Sequence, residues 1–199
     1  MSRKISDVIH GQAFEISLLR NQSLPDMKDY DEVAVGKTGG LFSLCFSLGA
    51  LSAGAPLDTL ETLDRMGSDL GWVFQVQDDI LDLIGEKGRG STGNDLWEGK
   101  PSWLVAACCA KLPEEKREAF RALLYKPRER KQEADIIALR EMISESFVVE
   151  EGMEALESRA IRLLDEIHPD LGALRPLTGR FVDFFLGPLR VSYREYEGT

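Results

Sequence analysis

Apolar positions recur at three- and four-residue intervals along most of the chain, and no run alternates for long enough to support a sheet. The periodic stretches predict helices over residues 6–20, 30–53, 57–84, 102–111, 114–125, 133–145, 150–167 and 176–193. Prolines punctuate them. Pro25 breaks the first helix from the second, Pro56 suits a first helical position, and Pro113 and Pro127 separate the neighbouring segments. Periodicity stops between residues 85 and 101, where Gly85, Gly88, Gly90, Gly93 and Gly99 follow a long apolar helix. A glycine-rich loop of this size within a helical domain is commonly a functional one. Residues 126–131 form a charged connection that reads as a solvated loop. The expected architecture is all-α, a helical bundle forming a single domain over residues 1–199.

Composition narrows the function classes. With 199 residues, 43% hydrophobic and 29% charged, the chain can fill a core and is not a disordered polymer. A formal charge of −10 argues against electrostatic capture of nucleic acid, and a phosphorylated ligand would need metal cations as mediators. Cys45, Cys108 and Cys109 are odd in number and lie in apolar stretches, which suits reduced thiols in a core and a cytoplasmic location. No signal-peptide pattern follows Met1-Ser2-Arg3-Lys4. The uncharged stretch 38–57 carries four glycines, three serines and a proline, so it reads as a closely packed helix, not an integral membrane span.

Candidate chemistry gathers in four places. In Phe74-Gln75-Val76-Gln77-Asp78-Asp79-Ile80-Leu81-Asp82, helical spacing puts Gln75, Asp78 and Asp82 on one face with Asp79 beside them. Three carboxylates on so apolar a helix repel one another and resist desolvation, and Mg²⁺ shared with substrate phosphate would relieve both. The alternative is a solvated acidic stripe. Lys37-Thr38, flanked by Gly36, Gly39 and Gly40, opens the apolar helix and could hold an anionic oxygen, or Lys37 could simply reach water. In the glycine loop, Arg89 and Lys100 are candidate phosphate contacts, although no P-loop pattern is present. Near the start, Gln12 and Glu15 stand one turn apart within Gly11-Gln12-Ala13-Phe14-Glu15. His10 and His168 form no metal or catalytic constellation, and structural roles suit both.

Taken in order, GQAFE, KTGGLF, FQVQDDILD and a glycine loop ending in DLWEGK resemble the trans-isoprenyl diphosphate synthases, or polyprenyl synthetases. The resemblance implies an isoprenoid synthase-type bundle and Mg²⁺-dependent head-to-tail prenyl transfer between an allylic diphosphate and isopentenyl diphosphate. It implies Asp78 as principal metal ligand, completed by Asp79 and Asp82. Lys37 and Lys100 would bind the allylic diphosphate, with Gln12 and Arg89 also at substrate-binding positions. Thr38 and Gln75 would face the developing cation, and Phe74 would line the isopentenyl site.

The sequence also departs from the family. Glu15 stands for the usual Asp, Gly39 for Ala, and Arg89 lies near a position that is often Lys. No first aspartate-rich motif precedes Gly11. The bundle is therefore expected to be N-terminally incomplete, with residues 41–50 and 73–83 exposing apolar faces. A partner chain carrying the missing helices and a DDxxD motif would complete a split, heteromeric enzyme that is inactive alone, Met1 reading as a natural beginning. Two other readings are a non-catalytic regulatory or structural subunit of a complete synthase and a terpene cyclase-like protein. Glu98 and Ser102 occupy the places where the cyclase motif needs other residue types.

Overall fold

The computed structural model describes residues 2–85, 92–167 and 169–197, and among these the regular elements are all helical. The chain runs α1 (Ser2–Asn21), α2 (Met27–Ala34), a π-helical turn (Val35–Gly39), α3 (Gly40–Ser52), α4 (Leu57–Ile84), α5 (Asn94–Glu98), α6 (Trp103–Lys111) and α7 (Glu114–Leu124). It continues through α8 (Glu133–Glu145), α9 (Val148–Asp165) and α10 (Arg175–Glu197), with short 3₁₀ turns before α8 and α10. Asp26 starts α2 with a capping box, its carboxylate accepting from the Asp29 amide while Asp29 returns a bond to its own. The predicted helix over 30–53 is thus interrupted by a π turn that holds Lys37 and Thr38, and the glycine loop contains a single helical turn.

The axis of the fold is α4, which packs against α2, α3, α5, α6, α9 and α10. Val73, Val76 and Ile80 are fully buried and Leu83 nearly so, which corrects the expectation that residues 73–83 expose an apolar face. The reason is coverage by α9 and α10. The expectation for residues 41–50 holds in part: Leu41 is 52% and Leu48 38% exposed, and Leu51 of α3 and Ile5, Ile9 and Ile16 of α1 are exposed as well. Cys108 and Cys109 are buried free thiols, whereas Cys45 is exposed instead of lying in the core. One stretch, Met27–Ser52, is long and apolar enough to cross a membrane, and 33% of its most apolar window is buried in the bundle.

Close approach at glycines sets the geometry of the working end. On α4, a Cβ at Gly71 would stand 2.6 Å from the Cα of Gly39, and one at Gly67 would stand 2.7 Å from the Cα of Ser43. On α1, a Cβ at Gly11 would stand 2.6 Å from the Lys37 nitrogen. The π turn is therefore pinched between two helices at points where only hydrogen fits. One turn beyond each glycine stands a polar side chain, Gln75 after Gly71 and Glu15 after Gly11. The sequence thereby brings both groups onto Thr38 and Lys37.

Candidate active site

Glu15, Tyr30, Lys37, Gln75, Asp78, Asp79, Asp95 and Lys100 line a polar cavity of about 160 Å³, together with Val33, Pro101 and Ser102. Five elements supply these groups: α1, α2, the π turn, α4, and α5 with the segment that leads from it to Lys100. Lys37 Nζ donates to Glu15 Oε2 at 2.7 Å, and Gln12 Nε2 donates to the same oxygen at 2.8 Å. Gln12 itself is exposed and does not line the cavity; its link to the site runs through Glu15. Lys100 Nζ pairs with Asp95 at 2.9 Å and Glu98 at 2.9 Å. Burial works to lower the Lys100 pKa, but those two carboxylates outweigh it and raise it overall. Both lysines are half-buried at the cavity wall.

A directed chain of hydrogen bonds crosses the floor. Trp103 N donates to Asp79 Oδ2 at 2.8 Å, and Gln75 Nε2 donates to Asp79 Oδ1 at 2.9 Å. Thr38 Oγ1 donates in turn to Gln75 Oε1 at 2.7 Å. Since both Asp79 oxygens accept, the Gln75 amide must turn its nitrogen to Asp79 and its oxygen to Thr38. The Thr38 hydrogen is thereby used and the lone pairs of its oxygen remain, although Thr38 stands behind Gln75 and is not itself among the residues that line the cavity. Burial, followed by the charge of Asp95, raises the pKa of Asp79 to about 7, against the pull of its donors. The fully buried Tyr30 hydroxyl sits beside Asp79 short of full hydrogen-bond geometry, and burial raises its own pKa well above the ordinary value.

The three aspartates are not gathered around one point. Asp78 is half-buried and lines the cavity, Asp79 lines it with both oxygens engaged, and Asp82 is 4% exposed and accepts from Asp95 N at 2.8 Å. Among the described residues, no group of three or more His, Cys, Asp or Glu side chains is arranged to hold a metal ion. A cage built by this chain alone therefore does not fit, whereas attachment through Asp78 with phosphate oxygens and water does suit magnesium. Phe74 stands off the cavity in an aromatic group, its ring centroid 5.7 Å from Phe42 and 5.3 Å from Phe185. Arg89 and His168 lie outside the described residues, and His10 is exposed near Glu32.

Two basic residues of the site's surroundings were not expected. Lys131, expected in a solvated connection, is 7% exposed, and its Nζ donates to the carbonyls of Leu96, Trp97 and Leu124. Arg140 of α8 bonds Thr92 Oγ1 at 2.9 Å and the carbonyl of Leu83 at 2.8 Å, joining the described ends of the glycine loop.

The polyprenyl synthetase profile matches residues 1–143. A short chain isoprenyl diphosphate synthase of Methanocaldococcus jannaschii is 30% identical over 62% of this chain, and the match covers 38% of that protein. A geranylgeranyl diphosphate synthase of Mycobacterium tuberculosis is 40% identical over 51% of this chain, covering 29% of its own length. The chain thus spans about a third of the relatives it matches. A geranylgeranyl pyrophosphate synthase of Corynebacterium glutamicum, crystallised with isoprenyl diphosphate and magnesium, superposes with a TM-score of 0.74 at 27% identity. That likeness covers 89% of this chain and 52% of the other. With its four motifs meeting at one cavity and the profile matching well over half its length, this chain belongs to the polyprenyl synthetase family.

Proposed function

We propose that this chain forms the diphosphate-binding half of a trans-isoprenyl diphosphate synthase that condenses isopentenyl diphosphate with an allylic diphosphate. The carrying observation is the cavity itself, which Lys37 and Lys100 line together with Gln75, Asp78 and Asp79. In the reaction the allylic C–O bond breaks, diphosphate departs with the electron pair, and the alkene of isopentenyl diphosphate attacks the cation and then loses a proton. Negative charge grows on one side and positive charge on the other, so preorganised cations and dipoles must be separated in the same way. Lys37 and Lys100 would bind the departing diphosphate, Lys37 held in place by Glu15 and Lys100 by Asp95 and Glu98. The Thr38 oxygen, oriented through Gln75 by Asp79, would face the allylic cation.

Asp78 would hold Mg²⁺, which when bound neutralises charge on the leaving group. Asp79 would serve to orient Gln75, and Asp82 to fix the start of α5, a narrower division than a shared three-carboxylate site. Phe74 would shape the apolar wall behind the isopentenyl group, and Arg89 a further phosphate contact. The exposed apolar side chains of α1 and α3 would be covered by a partner chain carrying a DDxxD motif, in an assembly working in the cytoplasm. The test is product formation from allylic and isopentenyl diphosphates by this chain, by a candidate partner, and by their mixture. Product from the mixture alone is the expected result. Turnover by this chain alone would overturn the partner requirement, and no product from a stable mixed complex would overturn the synthase reading.

A further inference from the structure

Helix α5 is too short to hold itself. Its five residues lie well below the length at which a helix is stable in water, and it is bounded by Gly93 at φ 83° and Gly99 at φ 69°. Its shape must come from outside. At its start Asp82 is the anchor: its main-chain carbonyl accepts from Gly93 N at 2.6 Å and its carboxylate accepts from Asp95 N at 2.8 Å. At its end the anchor is Lys131. The Nζ donates to Leu96 O at 2.6 Å, Trp97 O at 3.1 Å and Leu124 O at 2.8 Å. An ammonium has three donor hydrogens and no acceptor, so these three carbonyls saturate it.

The partners are carbonyls in the last turns of α5 and α7, where a helix end leaves acceptors short of donors, and Leu96 O accepts from Gly99 N at 3.3 Å as well. One buried cation therefore ties two helix C-termini together, where it also complements both helix dipoles. The backbone of Gly99 is drawn so close to Leu124 that a Cβ there would stand 2.8 Å from the Leu124 oxygen. Burial draws the pKa of Lys131 down to about 8, with the carboxylate of Asp135 working the other way.

What α5 carries gives the clamp its meaning. Asp95 lines the cavity, and Lys100, whose amide bonds the Asp95 carbonyl at 2.9 Å, puts its Nζ on the Asp95 carboxylate. We infer that Lys131 is a positioning residue, remote from the cavity, that sets where Asp95 and Lys100 stand on it. Its functional consequence rests on the diphosphate reading above; the clamp rests on geometry alone. A methionine at 131 would fill similar space and supply no donor, releasing the α5 carbonyls while leaving α4 and α9 packed.

The test compares the full chain with Lys131→Met by amide hydrogen exchange and by calorimetric titration with inorganic pyrophosphate and Mg²⁺. Exchange over 95–100 should accelerate about tenfold or more while α9 keeps its protection, and pyrophosphate affinity should fall about tenfold. Unchanged exchange over 95–100 overturns the clamp. Uniform loss of protection across α4, α9 and α5 also overturns it, because Lys131 would then serve global stability only. Selective release of α5 with unaltered affinity overturns the positioning role. If the parent chain binds no pyrophosphate, the diphosphate reading fails, and the exchange pattern still decides the clamp.

Discussion

Asp78→Ala should reduce prenyl transfer by the assembled enzyme by about hundredfold or more. Asp78 lines the cavity from the C-terminal third of α4, and its proposed work is to bring charge-neutralising magnesium to a leaving group. Its two acidic neighbours are predicted to fail differently. Asp79→Ala would strip the acceptor from Trp103 N and Gln75 Nε2, and Asp82→Ala would strip it from Asp95 N. Leaving buried donors unpaired costs about 1–3 kcal/mol, so both variants should unfold at lower denaturant concentration. Asp79→Ala should keep Mg²⁺–pyrophosphate affinity within a few-fold and lose turnover through the misoriented Gln75–Thr38 pair. Calorimetric titration, denaturant melts and turnover on all three variants separate these roles. If the three lose magnesium-dependent affinity equally with stability intact, the carboxylates act as one metal site and the division of labour is wrong.

The helices were legible because each buries an apolar stripe, and a stripe leaves a period in the sequence. Residues 57–84 show this best: Leu70, Val73, Val76, Ile80 and Leu83 repeat at helical intervals, and all are buried. The ends of this helix agree with Pro56 and Gly85. Helix α5 left no such trace, since five residues hold too few apolar positions for a period and its support comes from Asp82 and Lys131. The π turn was hidden for a related reason. Residues 35–39 fall inside one uninterrupted helical stretch read over 30–53, and it is the backbone pinch between Gly11 and Gly71 that marks them out.

Among the site residues, spacing placed Gln75, Asp78 and Asp82 on one face, but the decisive partner of Gln75 is Asp79, one turn away. That i, i+4 relation was present in the sequence as a weak signal. The burial of Lys131 had no local signal. It sits in a charged run, and its three acceptors come from helix ends that the chain order separates. The cover that α9 and α10 give to α4 was equally illegible, because a periodic stripe shows that a face is buried and not what buries it.

Gly71→Ala should cost about 1–3 kcal/mol of stability and about hundredfold in turnover, the second effect arising without contact with substrate. The added methyl would meet the Gly39 Cα at 2.6 Å, the Thr38 carbonyl at 2.7 Å and the Gly39 nitrogen at 2.8 Å. All three are backbone atoms, so no side chain can turn aside. Restoring ordinary contact requires the π turn and α4 to part by roughly 1 Å. The Thr38–Gln75 bond is 2.7 Å long and stands one turn further along the same face, so that separation breaks it. The Thr38 hydroxyl is then free to rotate, and its oxygen no longer presents a fixed dipole to a cation. Gly49→Ala is the contrasting substitution on α3, where a Cβ meets nothing within 4 Å. There the change should stabilise the chain by about 0.5–1 kcal/mol through helix propensity and leave turnover unaltered. Urea unfolding and steady-state kinetics on the pair measure both effects. A Gly71→Ala enzyme with parental turnover would show that the Thr38–Gln75 contact is not what the glycine seam exists to place.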